Sequence, residues 1–189
     1  MLFNKKLKFF FFNKIINNKK NLLRFKNISY ICIWDAENDI DQIKIDRKFC
    51  KENNIKFYLS NNINLAKILK ADGVHIPSSF KGKIHNINSN MDIIGTAHCY
   101  NDCYTKIQQG CKGIFISPLF YNKKYSVNKI LGPLKFTNFS KVCKTEVYAL
   151  AGIRTNNIKN LNLLKIDGMG GISFFDKIKP ASISRGEFL

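Results

Sequence analysis

Short apolar runs recur through the last two thirds of the chain, and each closes on small or polar residues. They are GVHIP (73–77), DIIGTAH (92–98), GIFISPLF (113–120), EVYALAGI (146–153) and GMGGISFF (168–175). Segments of helix-forming composition separate them. A strand covered by helices on both faces reads as a nearly continuous apolar run, whereas a strand with one wet face alternates. The runs therefore predict parallel strands of an α/β fold, with the polar closing residues at their C-terminal ends.

The same reading along the whole chain predicts strands over 7–12, 28–35, 55–59, 73–76, 92–95, 113–117, 147–150 and 169–172. The second of these is rich in β-branched and aromatic residues. Helices are predicted over 18–26, 41–53, 62–70, 100–109, 134–143 and 156–165, the last with an Asn-rich start. Ile43, Ile45 and Phe49 are its candidate core residues in the second helix, Ile63, Ala66 and Leu69 in the third, and Gly110 closes the fourth. Strands alternating with helices imply a parallel sheet, and eight that close on themselves imply a (β/α)8 TIM barrel. An open doubly wound sheet is the alternative. In a barrel, ligands bind at the C-terminal ends of the strands, which is where the runs turn polar.

Length and composition add one domain, 1–189, because 189 residues support a substantial core and no Ser/Gly/Pro linker interrupts them. The basic, Asn-rich stretch 81–90 comes nearest to an insertion, and 121–130 is a second basic loop. The formal charge of +18 raises the question of nucleic acid. The lysines are dispersed, arginines are few and no nucleic-acid motif occurs, so nucleic acid is not an expected partner. Abundant Lys, Asn, Ile and Phe also match AT-rich codons. The charge equally suits phosphorylated small molecules. None of the six cysteines forms a CxxC pair, and His98-Cys99 with Cys103 is not a zinc spacing. Read as free thiols in apolar segments, they point to a reducing cytoplasm. Lys5, Lys6 and Lys8 precede Phe9–Phe12, but four apolar residues fall short of the roughly 7–15 of a signal peptide. No run has transmembrane length, so no membrane partner is expected.

The segments ADGVHIP, IIGTAH, ISPLF followed by LGPLKF, YALAGI and DGMGGIS resemble, in order and spacing, the thiamine phosphate synthase/TenI family. The resemblance is firmest over 55–176. It implies a (β/α)8 barrel of thiamin biosynthesis that binds a thiazole phosphate. Synthases of this family join a pyrimidine diphosphate to thiazole phosphate and release pyrophosphate. That chemistry calls for Mg2+ and a cationic clamp. TenI-type members instead shift a proton in the thiazole phosphate, which needs an acid/base group and a phosphate grip. Family analogy also allows a homo-oligomer.

Carried over residue by residue, the resemblance puts the phosphate on Gly152 after the seventh strand and on Ile172 and Ser173 after the eighth. Loops after strands 7 and 8 form the usual barrel phosphate site, and glycine lets backbone N–H groups approach an anion. The competing reading is that Gly152 and Gly170-Gly171 only relieve tight packing. His98 closes the fifth strand where TenI-type proteins place a proton-transferring histidine; the competing reading is a structural hydrogen bond. Thr96 corresponds to a family serine that contacts substrate. Ser117, before Pro118, shapes the pocket floor, His75 is structural, and Trp34 either stacks on a ligand ring or packs in the core.

The diphosphate site is a different matter. The synthases' Gln-Arg-Lys pattern after strand 2 corresponds to Cys32, Trp34 and Ala36, and their Asn-Asp after strand 3 to Ser60-Asn61. Their metal-binding Asp after strand 4 corresponds to Phe80, or to Ser79 one register away. Neutral oxygens replace carboxylates poorly at Mg2+. Losing one electrostatic contact of this kind costs about 2.7–4 kcal/mol of barrier. Lys81, Lys83, Lys123 and Lys124 either compensate or form a solvated face. The sequence thus favours a TenI-like thiazole phosphate isomerase. It needs no cofactor, and Mg2+ enters only if synthase activity is retained. A working synthase and a non-catalytic binding barrel are the alternatives.

Overall fold

Apolar runs too long for a one-sided sheet must be covered twice, and the chain meets this by closing a barrel inside a ring of helices. The computed structural model describes residues 7–177 except 26, 36–38, 86 and 88–89. Its eight parallel strands pair in chain order: β1 (Lys8–Asn13), β2 (Ile28–Ile33), β3 (Lys56–Ser60), β4 (Gly73–Ile76), β5 (Asp92–Ala97), β6 (Gly113–Ile116), β7 (Glu146–Leu150) and β8 (Gly168–Gly171). β8 returns to β1 with Met169 opposite Phe9 and Gly171 opposite Phe11. The closed barrel, rather than the open sheet, is therefore the fold.

The helices are α1 (Lys19–Leu22), α2 (Ile40–Glu52), α3 (Ile63–Ile68), α4 (Tyr100–Gln108), α5 (Gly132–Ser140) and α6 (Ser173–Lys177). Asp39 starts α2 by accepting the Asp41 N–H at 2.9 Å, and Asn62 starts α3 by accepting that of Leu65 at 2.9 Å. Alternation along the strands divides the core in two. Outward residues such as Tyr30, Cys32, Phe57, Val74 and Ile114 join Ile43, Ala66 and Phe136 of the helices. Inward residues Phe10, Phe12, Ile31, Tyr58, Ile94, Phe115 and Tyr148 fill the barrel. Glycines make room for them. A Cβ on Gly73 would lie 2.3 Å from the Tyr58 ring, and one on Gly113 would lie 2.4 Å from that of Tyr148.

Several expectations change. The helix expected over 156–165 is a 3-10 stretch, Ile158–Leu163. Asn side chains compete with the helical backbone for hydrogen bonds. Asn157 does so here, accepting the Arg154 N–H and donating to Gly152 O, each at 2.8 Å. The second strand stops at Ile33, and the first helix shortens to four residues. Ile45 is half exposed, because the buried stripe of α2 is Ile43, Asp46 and Cys50. Asp46 belongs there by accepting the Ile16 N–H at 2.9 Å; burial nevertheless pushes its carboxyl pKa up. Cys103 of α4 and Cys143 are bonded as a disulfide, so only Cys32, Cys50, Cys99 and Cys111 remain free thiols. Free thiols as an argument for a reducing compartment thus no longer cover all six cysteines. Among the described residues, no helix is long and apolar enough to cross a membrane.

Among the described residues, no helix forms between β4 and β5. The connection packs Phe80, Ile84 and Ile87 on the outer core instead. Two α4 side chains hold it. Lys106 Nζ donates to Phe80 O and to Gln109 Oε1, both at 2.9 Å, and Gln109 Nε2 donates to Gly82 O at 2.7 Å. Lys106 is fully buried, and desolvation takes its pKa down to about 8. Gly95 lets it pass, since a Cβ there would meet its Cδ at 2.7 Å.

The N-terminal mouth of the barrel holds a cavity of 590 Å3. Its charges satisfy one another: Asp92 accepts from Lys56 and Lys112, each at 2.9 Å, and Glu146 from Lys8 at 2.7 Å. Burial raises the Asp92 pKa, but hydrogen bonds from Lys112 and Lys56 outweigh it and leave the group at about 2. A carboxyl depressed in the folded state stabilises above its unfolded pKa of about 3.9 and loses that contribution as pH falls toward the folded value. In urea titrations, the stability advantage of the wild type over Asp92→Asn should be constant above pH 5 and shrink between about pH 4 and pH 2. An advantage unchanged down to pH 2 would contradict the network.

Candidate functional site

The C-terminal ends of β5 and β6 are tied together at Ser117, whose N–H donates to Ala97 O at 3.1 Å. The Ser117 carbonyl faces back toward β5 and receives His98 Nδ1 at 2.8 Å. A carbonyl oxygen only accepts, so Nδ1 carries a proton, and in the neutral ring the lone pair is on Nε2. His98 is exposed at the rim, and the Tyr125 ring lies 5.8 Å from its own. Tyr125 is held by a turn in which its N–H donates to Asn122 O, and the Lys124 N–H to Asn122 Oδ1, each at 3.0 Å.

The His98 backbone is fixed as well. Asp102, in the first turn of α4, accepts the His98 N–H on Oδ2 at 2.9 Å and pairs Oδ1 with Lys81 at 2.5 Å. Burial works to raise the Asp102 pKa, but Lys81 and the His98 N–H outweigh it and hold it below the ordinary carboxylate value. One buried carboxylate thus joins the β4–β5 connection to the histidine. Ser117 Oγ is buried and makes no hydrogen bond among the described residues.

Thr96 stands one residue before the end of β5. It is buried, and its Oγ1 lies 2.8 Å from His75 Nε2, while His75 Nδ1 lies 2.8 Å from Ser60 Oγ. His75 also meets Phe12 edge-on, with ring centroids 5.3 Å apart. Desolvation, followed by the nearby Lys106 charge, takes its pKa down to about 3. A neutral imidazole bridging three strands is a structural role, and it engages the Thr96 hydroxyl in that bridge.

Gly152 and Ala151 follow β7 with φ of +74° and +71°. A Cβ on Gly152 would lie 2.3 Å from Phe120 O, so close packing of the β6–α5 connection by itself requires glycine there. Ile172 and Ser173 are exposed at the end of β8, and Ser173 opens α6. Among the described residues, no hydrogen bond occupies the N–H of Gly152 or of Ser173.

The end of β2 corrects the clamp positions. Cys32 and Trp34 point outward into the helix-packed core, and Cys32 Sγ donates to Lys14 O at 3.5 Å. Ala36 lies outside the described residues. The inward positions are Ile31 and Ile33, with Asp35 next in the alternation and ion-paired to Lys14 just past β1. This pair was missed by sequence reading because its members lie twenty-one positions apart.

Mg2+, which family synthases use, needs several hard oxygen ligands. After β3 and β4 the chain offers Ser60, already bonded to His75, then Asn61, Ser79 and the half-buried Phe80. Among the described residues, no three His, Cys, Asp or Glu side chains are grouped for a metal. The residues here do not fit that ion.

A closed ring of eight parallel strands inside helices defines a (β/α)8-barrel protein. Comparison narrows the class. Residues 22–175 match the family model described as thiamine monophosphate synthase, and the chain belongs to that TMP-TENI family. The thiamine-phosphate synthase of Flavobacterium johnsoniae is 29% identical over 165 residues, covering 80% of this chain and 71% of that protein. A putative thiamine-phosphate synthase 2 of Aquifex aeolicus is 27% identical over 131 residues, covering 68% and 70%. The solved thiamine phosphate pyrophosphorylase of Pyrococcus furiosus shares the fold, with a TM-score of 0.73 at 14% identity over 98% of this chain and 94% of that one.

Asp102 was not read as a site residue, although an acidic residue in the first turn of a helix is a recognisable signal; Lys81, weighed as a clamp substitute or a solvated face, is its ion-pair partner. Asp102→Ala should cost about 1.5–3 kcal/mol in chemical denaturation and speed hydrogen exchange of the His98 amide. Asp102→Asn, which keeps an acceptor, should recover part of both losses. Unchanged His98 exchange in Asp102→Ala would remove Asp102 from its anchoring role.

Proposed function

We propose that the protein binds thiazole phosphate at the ends of β7 and β8 and moves a proton on it as a TenI-like isomerase, with His98 as the acid/base group. The observation that carries this reading is the His98 imidazole itself. Its Nδ1–H is held by a carbonyl and its Nε2 is left as a base on the exposed rim. In the reaction, Nε2 takes a proton from one ring position, and the Ser117 carbonyl remains hydrogen-bonded to the resulting imidazolium. The same nitrogen returns the proton at the other position, so the enzyme ends unchanged. The N–H groups of Gly152 and Ser173 and the Ser173 hydroxyl grip the phosphate, with Ile172 beside them. Ser117 forms the floor. The family names of the relatives favour a second reading, a working synthase, which requires the Mg2+ site that these residues do not fit.

Calorimetric titration with thiazole phosphate should show binding by the wild type and weaker binding by Ser173→Ala and Gly152→Asp. Wild type without binding would end the proposal. In a tautomerisation assay, His98→Ala should lose about 10²–10⁴-fold in kcat with little change in affinity. Binding without turnover by the wild type would identify a non-catalytic barrel. Robust thiamin phosphate formation from both synthase substrates and Mg2+ would establish the second reading instead.

A further inference from the structure

The cysteines are nucleophilic groups that the proton transfer does not use, and their surroundings differ. Cys32, Cys50 and Cys111 are buried free thiols. Burial pushes each of their pKa values up to about 12, which leaves them inert toward oxidants and disulfides. Cys99 is free and exposed. Cys103 and Cys143 form a disulfide across 40 positions, with Cα atoms 6.5 Å apart. The bond lies where α4 meets α5. Phe136 and Phe139 of α5 share the outer core with both cysteines, and the Tyr100 ring of α4 lies 4.9 Å from that of Phe139.

The disulfide adjoins the residue that holds His98. Asp102 immediately precedes Cys103, accepts the His98 N–H at 2.9 Å and pairs with Lys81. The first turn of α4 is thus tied on one side to the β4–β5 connection by an ion pair, and on the other to the chain after α5 by a covalent bond. A thiol left exposed and free at Cys99, four residues before a disulfide, belongs to surroundings in which thiols persist. Disulfides in such surroundings form and break rather than serve as permanent staples. Cys143 gives a reductant its entry. It lies in the α5–β7 connection between Val142 and the exposed Lys144 and keeps 8% exposure, whereas Cys103 has none. We infer that the Cys103–Cys143 bond is a redox latch, opened by a dithiol and closed by a disulfide oxidant, that sets how firmly α4 holds the His98 backbone. One reductant thiolate attacks Cys143 Sγ. The S–S bond breaks, and its electron pair leaves on Cys103, which takes up a proton. The second reductant thiolate then displaces Cys143, which is protonated in turn. Two thiols remain in the protein and one disulfide in the reductant, and a disulfide oxidant reverses both steps. The inference goes beyond the thiazole phosphate reading and does not depend on it.

The test uses the full chain, held without denaturant in reduced or in oxidised dithiothreitol. Each sample is acid-quenched, unfolded, alkylated and mapped by peptide mass spectrometry, and hydrogen exchange and urea unfolding are measured on both forms. Cys103 and Cys143 should be linked after oxidation and alkylated after reduction, while Cys32, Cys50 and Cys111 are alkylated in both. Reduction should speed exchange of the His98 amide, because local opening of α4 no longer strains a covalent tie. It should also lower the urea midpoint by about 1–2 M, the loss expected on removing a cross-link of this span. Cys143→Ala should show the fast His98 exchange with or without reductant, and Cys50→Ala should respond as the wild type does. Should Cys143→Ala not fold, the two redox forms of the wild type decide alone. No linked Cys103–Cys143 peptide after oxidation would overturn the latch. So would a bond that the dithiol opens only in denaturant, or a His98 amide that exchanges equally in both forms. None of these measurements involves thiazole phosphate, so its failure to bind is read separately.

Discussion

Ring against glycine is the contact on which this barrel depends. Five large aromatic side chains, Phe10, Phe12, Tyr58, Phe115 and Tyr148, fill an eight-stranded interior, and they fit only because neighbouring strands carry no side chain beside them. Gly73 admits Tyr58 and Gly113 admits Tyr148, while Gly170 sits where a Cβ would press on Phe12 at 2.8 Å and on Phe115 at 2.9 Å. Protein interiors are packed as densely as molecular crystals, so a methyl group at any of these points would have to move a ring. The radius and register of the barrel, and hence the position of every rim residue, follow from that fit.

Above the aromatic layer, His75 forms a polar crossbar with Ser60 and Thr96. It ties β3, β4 and β5 together where the interior opens toward the mouth. Held neutral by burial, it satisfies both hydroxyls without placing a charge in the core. Beyond it the rim divides by charge. On the β5–β6 side, Asp102 joins Lys81 to the His98 backbone, and Ser117 fixes the imidazole. On the β3–β4 side, Lys67 and Lys83 line one cavity, and no described carboxylate lines it. The connection between β4 and β5 takes part in both arrangements, because it reaches α4 with Lys81 and carries Lys83 and His85 to the cavity beside α3.

The barrel was legible because its signal is local. Eight apolar runs separated by helical segments leave few topologies, and each run became a strand within two or three residues of its expected ends. The positions of His98 and Ser117 just past β5 and β6 were legible because each closes a run. The helix over 156–165 was misread because its periodicity survives in a 3-10 stretch, while Asn157 spends its side chain on neighbouring backbone. The hydrogen bond of Thr96 to His75 was not legible, because the two lie twenty-one positions apart. Cys32 and Trp34 show the same limit in another direction, since a shift of one residue turns a strand's whole face around.

By itself, then, the sequence determined the alternation of strands and helices, the polar ends of the runs, the excess of positive charge and the loss of acidic residues after β3 and β4. These properties belong to individual residues and their near neighbours. Only the tertiary structure decided that Lys14 meets Asp35, that Asp102 anchors His98, that Cys103 meets Cys143, and that Lys67, Lys83 and His85 share one cavity. Each of those depends on chain closure bringing together segments far apart in sequence. Hydrogen bonds and charges act over a few ångströms, a distance that no spacing along the chain encodes.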